Sequence, residues 1–350
     1  MSEIARLELE NFTAFKKLLL ELSPGINVFI GTNGTGKTHL LKLLYTTCAI
    51  TAGEKAPLGV KLRDVFKPYE GRLGRLARRQ VTSVTAKFTV FRRGDLKLTG
   101  SFSNHTEKPE SLKTTGEAKW RDREAVTAYI PVKEMLAHAP GFRSLYGRRE
   151  IAFEETYADI VDLAFLPKLM GPPEKDRARL LRTLEKAIQG KVIAKGEHFF
   201  LKNRQGELEF SLLAEGMRKL ALIWLLIQNG TLLGGSVLFW DEPESNLNPS
   251  LMREVVTLML DLQRMGVQMF LATHNYVLLK EFDLQRQSED SILFHALSRD
   301  DDSGDVTCQS TEDHDAISPN ALVDTMVDLY ERDVARDFKL VSSVPSPKVG

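Results

Sequence analysis

Apolar and polar positions alternate at roughly period two over residues 4–9 and again over 18–22, which predicts two short strands at the start of the chain. A largely apolar stretch, 26–30, follows a Pro24-Gly25 turn and reads as a buried strand. Beyond a glycine-rich loop, Leu40, Leu41, Leu44 and Cys48 fall at helical spacing. Val84, Ala86, Phe88 and Val90 alternate with polar residues as in a half-exposed strand, and Arg92-Arg93-Gly94-Asp95 reads as the turn to its partner. Residues 101–120 are polar and predict a loop, 125–130 a strand and 173–190 a helix of ordinary length. Phe199-Phe200-Leu201 and Leu208-Glu209-Phe210 flank Asn203-Arg204-Gln205-Gly206, a hairpin signal. From Leu212 onward the order is apolar helix, buried strand, helix, buried strand, the rhythm of a parallel sheet covered by helices. The acidic 300–305 stretch reads as a solvated loop, and 341–350 as a fraying tail. There is no fixed-period repeat.

Composition narrows the class. The 350 residues are 43% hydrophobic and 27% charged, with Lys+Arg and Asp+Glu both 47, so any electrostatic bias is local. One such bias lies at 61–100, where 11 Lys/Arg face 3 Asp/Glu. The longest apolar run, 220–227, is far short of the roughly 20 residues a membrane-spanning helix needs. No cationic segment followed by a hydrophobic core opens the chain, and Cys48 and Cys308 cannot make a disulfide framework or a zinc site. A cytoplasmic enzyme or regulator without membrane contact is the expectation.

The glycine-rich loop is Gly31-Thr32-Asn33-Gly34-Thr35-Gly36-Lys37-Thr38, a match to G-x-x-x-x-G-K-[ST] between a predicted strand and a predicted helix. Gly31, Gly34 and Gly36 let backbone N–H groups wrap phosphates at a helix N-terminus. Lys37 would reach the β- and γ-phosphates and Thr38 would ligate Mg²⁺. A second element, the apolar strand 236–240, ends in Asp241 and Glu242. Asp241 would hold Mg²⁺ from the side opposite Thr38, and Glu242 would orient or deprotonate the attacking water. The two elements lie about 200 residues apart.

On these residues the chain resembles ABC-type ATPases of the branch containing RecF, the SMC proteins and the OLD-family ATPases. LELENFTAF and INVFIGTNGTGKT resemble that branch's opening strands and phosphate loop, DEPESNLNPS its second acidic motif with the D-loop, and LATHN its switch histidine. LLAEGMRKLA resembles a divergent signature motif in which Ala214 stands for the family's serine and Gly216 remains. Asn248 takes the place of the D-loop acid, and Gln80 is a weak candidate for the Mg²⁺-contacting glutamine. YIPVKEM and APGFRSLYGRREIAFEETYAD resemble segments of stand-alone bacterial ATPases of the same branch. The resemblance implies an α/β P-loop head with a parallel core sheet, an N-terminal antiparallel β part and an inserted mixed lobe. It divides the chain into 1–60 and 196–285 as the two parts of an ATPase core, 61–195 as the insertion and 286–350 as a C-terminal strand, helix and tail.

The resemblance also implies ATP and Mg²⁺ as cofactors, and His274, one strand after the two acids, as the γ-phosphate sensor. It implies assembly with itself, as a homodimer or larger oligomer, through ATP sites shared between subunits. Long heptad runs and an appended nuclease acid pattern are both missing. A nuclease or toxin effector would therefore sit on a separate chain, in phage or plasmid defence. A RecF-like DNA repair clamp and a non-catalytic nucleotide-dependent scaffold are the alternatives. Arg72, Arg75, Arg78 and Arg79 read either as a contact to DNA or RNA, with three of them near one face if the segment is helical, or as solvated surface. Glu134 reads as functional or as a surface acid.

Overall fold

A computed structural model describes residues 3–52, 56–318 and 321–342; most of the expected tail, 343–350, lies outside them. Strands β1 (Ile4–Phe12) and β2 (Phe15–Glu21) form a hairpin, and β3 (Ile26–Gly31) runs into the glycine loop and helix α1 (Lys37–Ala49). Helix α2 (Leu58–Phe66) precedes a second hairpin, β4 (Thr85–Arg92) and β5 (Leu96–Ser103), then β6 (Lys113–Thr115) and α3 (Glu117–Arg121). Next come β7 (Thr127–Ile130), α4 (Phe142–Gly147), α5 (Glu155–Ala164) and α6 (Lys175–Ala187). They lead to β8 (Lys191–Lys195), β9 (His198–Asn203) and β10 (Gly206–Glu209). The remainder is α7 (Glu215–Gln228), β11 (Val237–Asp241), α8 (Met252–Arg264), β12 (Gln268–Thr273) and α9 (Tyr276–Gln285). After them follow β13 (Ile292–Arg299), β14 (Val306–Thr311) and α10 (Ala321–Ser342). Among the described residues no helix is long and apolar enough to cross a membrane.

The centre is a six-stranded sheet ordered β14-β13-β3-β12-β11-β7, parallel except for the edge strand β14. Strands β3, β11 and β12 are buried at every position, as expected of a parallel sheet covered on both faces. Alternate residues feed two cores. Ile26, Val28 and Ile30 join Leu238, Trp240, Met269 and Leu271 against helices α5 to α9. Phe29, Phe239 and Phe270 stack on the other face, with ring centroids 6.5 and 5.1 Å apart, against α1 and the five-stranded antiparallel sheet β2-β1-β4-β5-β6.

Two sequence expectations fail and two are incomplete, each for an identifiable reason. Residues 101–120 are not one loop: β5 continues to Ser103, and the edge strand β6 is polar because all three of its residues face solvent. The arginine segment is not an α-helix but two short 3₁₀ turns, Tyr69–Gly71 and Leu73–Leu76. Leu73, Gly74 and Leu76 are pressed into the antiparallel sheet's core, which leaves Arg72 and Arg75 exposed without a common helical face. The hairpin at 198–209 is present, but a third strand, β8, pairs with it, and Phe210 turns into a 3₁₀ turn. The acidic loop does join β13 to β14, yet Asp305 pairs with Arg78 and is not simply solvated.

One buried side chain fastens the two large sheets. Gln268, at the start of β12, accepts from the Ile4 N–H (2.9 Å) and donates to the Ile4 carbonyl and the Ser23 carbonyl (both 2.8 Å). Gln268→Leu fits the space but strands these backbone groups. We expect a loss of about 3 kcal/mol, from the usual cost of buried unpaired polar groups, with an unchanged slope in urea unfolding. An unmoved urea midpoint would show that the clamp is dispensable.

Candidate functional site

The parallel register sets the site. Ile30 of β3 lies opposite Thr273 of β12, and Asp241 of β11 opposite Ala272, so the phosphate loop, the paired acids and His274 leave one rim of the sheet together. In the loop, Gly36 precedes α1 at φ 89°, and a Cβ there would come within 2.8 Å of the Phe15 ring. Thr32, Asn33 and Gly34 form the exposed tip, and the buried Thr35 donates its hydroxyl hydrogen back to the Thr32 carbonyl at 2.9 Å. The Lys37 ammonium donates to the carbonyls of Gly31 (2.7 Å) and Thr32 (3.0 Å). Burial lowers its pKa, opposed by Glu242, Asp241 and Glu244, which face it. Helix α1 has no acidic residue in its first turn and no side-chain cap, so its leading N–H groups are available to an anion.

The acids differ in role and setting. Asp241 is buried; its Oδ1 accepts from the Thr38 hydroxyl and its Oδ2 from the Tyr129 hydroxyl, each at 3.1 Å. Burial pushes its pKa up to about 6, against the pull of those two hydrogen bonds. Thr38 and Asp241 supply the oxygen donors a hard divalent cation prefers. Among the described residues no group of three or more His, Cys, Asp or Glu is suited to a metal. A cation on Thr38 and Asp241 would therefore take its other oxygens from phosphate and water, as Mg²⁺ at nucleotide sites does. Glu242 adopts φ 48°, a left-handed conformation that costs a non-glycine residue about 1–3 kcal/mol. Its Oε1 lies 3.5 Å from Nδ1 of His274, and both side chains reach solvent.

Two residues of this rim escaped the sequence analysis. Tyr129 looked like strand filler. Glu244 is buried, and its Oε1 accepts from the Thr273 hydroxyl (2.7 Å) and the His274 N–H (3.1 Å), fixing the turn that carries the histidine. Its available signal was a third acid placed three residues after Asp241.

The remaining candidates are more dispersed. Gly216 opens α7, and a Cβ there would lie 2.9 Å from the Asn246 carbonyl, so it seats α7 against its own chain's turn after the acids. Ala214, at the N-cap, is exposed and offers no side-chain cap to α7. The Asn248 carboxamide oxygen accepts from the Ser250 N–H at 3.1 Å and caps a 3₁₀ turn. Gln80 is exposed in the segment before β4, whereas the chain that leaves β7 beside Trp240 is 131–135. Arg75, Arg78 and Arg79 line a cleft of about 530 Å³ with Thr13, His39 and Arg299. Arg78 is committed to the Ala14 carbonyl (2.9 Å) and to Asp305, and Arg72 to Glu107 (2.8 Å). Burial and the nearby Lys42 lower the His39 pKa to about 4, so the ring is neutral at pH 7.

A family described as "AAA domain, putative AbiEii toxin, Type IV TA system" matches residues 26–280, from β3 into α9, across the loop, the acids and His274. The chain belongs to this family. It is similar to RecF, the DNA replication and repair protein, of Acidothermus cellulolyticus (51% identity over 39 residues, 11% of this chain and 10% of that protein). RecF of Lactobacillus gasseri is 33% identical over 78 residues, 22% and 21% of the two chains. The matched stretches thus span about a tenth and a fifth of these relatives. The fold resembles a solved Smc head bound to the C-winged helix domain of ScpA, with TM-score 0.57, 12% identity, and 88% and 97% of the two chains covered. It also resembles an Smc head with an extended coiled coil, bound to the C-terminal domain of ScpA derived from Pyrococcus furiosus. There the TM-score is 0.52, with 11% identity and 95% and 99% covered. The AAA-family chain thus shares its fold with Smc heads, in agreement with the fold expected from its motifs.

The raised Asp241 pKa makes a stability prediction. A carboxyl group held above its unfolded value contributes stability below 3.8 and loses that contribution as pH rises through about 6. Without nucleotide or Mg²⁺, Asp241→Asn should therefore be more stable than the parent at pH 7, by up to about 3 kcal/mol, and the gap should close towards pH 4. Thermal unfolding across that range checks this; a variant less stable at every pH would contradict it.

Proposed function

We propose that the chain is an ATP-hydrolysing switch whose active unit is a pair of copies sharing their ATP sites, and that it controls a separate effector chain. The observation that carries the hydrolytic reading is the shared rim, where Lys37, Thr38, Asp241, Glu242 and His274 converge from three segments. Loop N–H groups and Lys37 bind the phosphates. Thr38 and Asp241 hold Mg²⁺, which when bound neutralises phosphate charge. Glu242 is the base for the attacking water, and His274, positioned by Glu244, senses the γ-phosphate. The arginine cleft seats the nucleoside, which favours that use of Arg75 and Arg79 over a DNA contact.

Packing supports the sharing. Helix α1 packs on β3, β7, β11 and β12, whereas α7 packs on α5, α6 and β8. The uncapped start of α7 is thereby free to face the nucleotide of a second copy in an isologous pair. The effector reading, a nuclease or toxin chain in phage or plasmid defence, draws on the family's toxin–antitoxin description and on the Smc heads' ScpA partner. A RecF-like clamp would instead show ATPase stimulation by DNA with a steep salt dependence.

Lys37→Ala should abolish nucleotide binding in calorimetry. Glu242→Gln should bind ATP as the parent does but turn it over at least about 100-fold more slowly. Unchanged binding in the first variant, or near-parental turnover in the second, would remove the assigned role.

The shared site has its own test. Ala214→Asp adds a side-chain cap worth about 0.5–1 kcal/mol to α7 but places a negative charge where a partner's γ-phosphate would approach. It should fold at least as stably, bind ATP, and not hydrolyse it. An equal mixture with Lys37→Ala should recover about a quarter of parental activity, since half the dimers carry one intact composite site. Full turnover by Ala214→Asp alone would refute sharing.

A further inference from the structure

The segment that leaves the catalytic rim after β7 is tied to the start of α7 by a buried ion pair. Tyr129, next to last in β7, holds Asp241, and five residues later the Glu134 carboxylate is wholly buried. Its Oε1 accepts from the Leu136 N–H, and its Oε2 accepts from Nε of Arg218 at 2.5 Å. The same guanidinium donates through Nη1 to the carbonyls of Leu213 (2.6 Å) and Phe210 (3.2 Å), the residues that lead the chain into α7. The next residue, Lys219, is also buried and donates to the Ser245 carbonyl at 2.6 Å, in the turn that follows the acids. The first turn of α7 is therefore fastened on one side to the β7 exit and on the other to the acid turn. Arginine is suited to this duty because its planar fork serves a carboxylate and two carbonyls at once.

We propose that Glu134 is a positioning residue of the shared ATP site: through Arg218 it fixes the α7 N-terminus in the orientation in which Ala214 and Gly216 meet the nucleotide held by the second copy. It rests on the shared-site reading above and adds the residue that sets its geometry. The wholly buried Glu134 carboxylate is bonded to Leu136 and Arg218 of its own chain. Its effect must therefore appear in the chain that presents α7, not in the chain that holds the phosphates. Spatial adjacency alone does not establish such coupling, so the test separates the two chains.

The experiment uses the mixture in which Ala214→Asp supplies the working phosphate loop and Lys37→Ala the working α7. Glu134→Gln, which keeps the shape and loses the charge, is added to one chain or the other. On the Lys37→Ala chain it should lower kcat about tenfold with the KM for ATP unchanged; on the Ala214→Asp chain it should leave both unchanged. Arg218→Lys, which retains a partner for the carboxylate but loses the fork, should show the same chain dependence and covers the case in which Glu134→Gln folds poorly. Equal losses on both chains, or none on either, would overturn the proposal. An Ala214→Asp with Lys37→Ala mixture that stays inactive while the parent hydrolyses ATP would show instead that the shared-site reading has failed, and the proposal with it.

Discussion

The parallel register of β3, β12 and β11 is the constraint on which the rest of the structure depends. Residues 30, 241 and 273 are far apart in sequence, and the sheet alone brings their successors to one rim. Because a parallel sheet must be covered on both faces, it requires helices on one side and the antiparallel sheet on the other. A one-residue slip of β11 would exchange its two faces, sending Trp240 towards the phenylalanine stack and moving Asp241 away from Thr38. Register and chemistry are therefore specified by the same alternation of side chains.

Around that rim the chain accepts buried charge. Asp241 is ionised at neutral pH only against its burial, and burial also raises the Glu134 pKa and lowers that of Lys219. Hydrophobic residues of similar volume would commonly be as stable or more so at such positions. What charge supplies here is direction. Arg218 reaches one carboxylate and two carbonyls at fixed angles, and Lys219 reaches one carbonyl of the turn that carries Asn246 and Leu247. An apolar contact would tolerate sliding of α7, whereas these bonds do not.

Legibility in the sequence followed the locality of the demand. The phosphate loop could be read because close approach and a mobile cation require glycines and lysine at fixed spacing within eight residues. Asp241 and Glu242 could be read because an apolar run announced their strand, and His274 because another strand preceded it. Glu244 and Tyr129 were hidden, since their partners, Thr273 and Asp241, stand 29 and 112 residues away. Glu134 drew notice in the sequence but could be read there as a surface acid, because Arg218, the partner beside which it is buried, stands 84 residues away. The arginine segment misled for a different reason. Its charge spacing suits a helix, but burial of Leu73, Gly74 and Leu76 selected tight 3₁₀ turns.

The same segment shows how a change in backbone alters a functional reading. On a helix, Arg72, Arg75 and Arg79 would form a stripe, the arrangement that tracks a nucleic-acid backbone. In the fold Arg72 turns to Glu70 and Glu107, and Arg78 is spent on Ala14 and Asp305. Arg75 lies over the Tyr69 ring at 5.5 Å, and with Arg79 and Arg299 it borders a cleft rather than a flat face. A Gly34 Cβ would lie 3.9 Å from an Arg299 guanidinium nitrogen, so this cleft adjoins the phosphate loop. Concentrated positive charge at a concave site suits one compact polyanion better than an extended one, because low-dielectric walls focus the field into the cleft. Part of the local basic bias of this electrically balanced chain is therefore gathered beside the phosphate loop and not along a helical stripe.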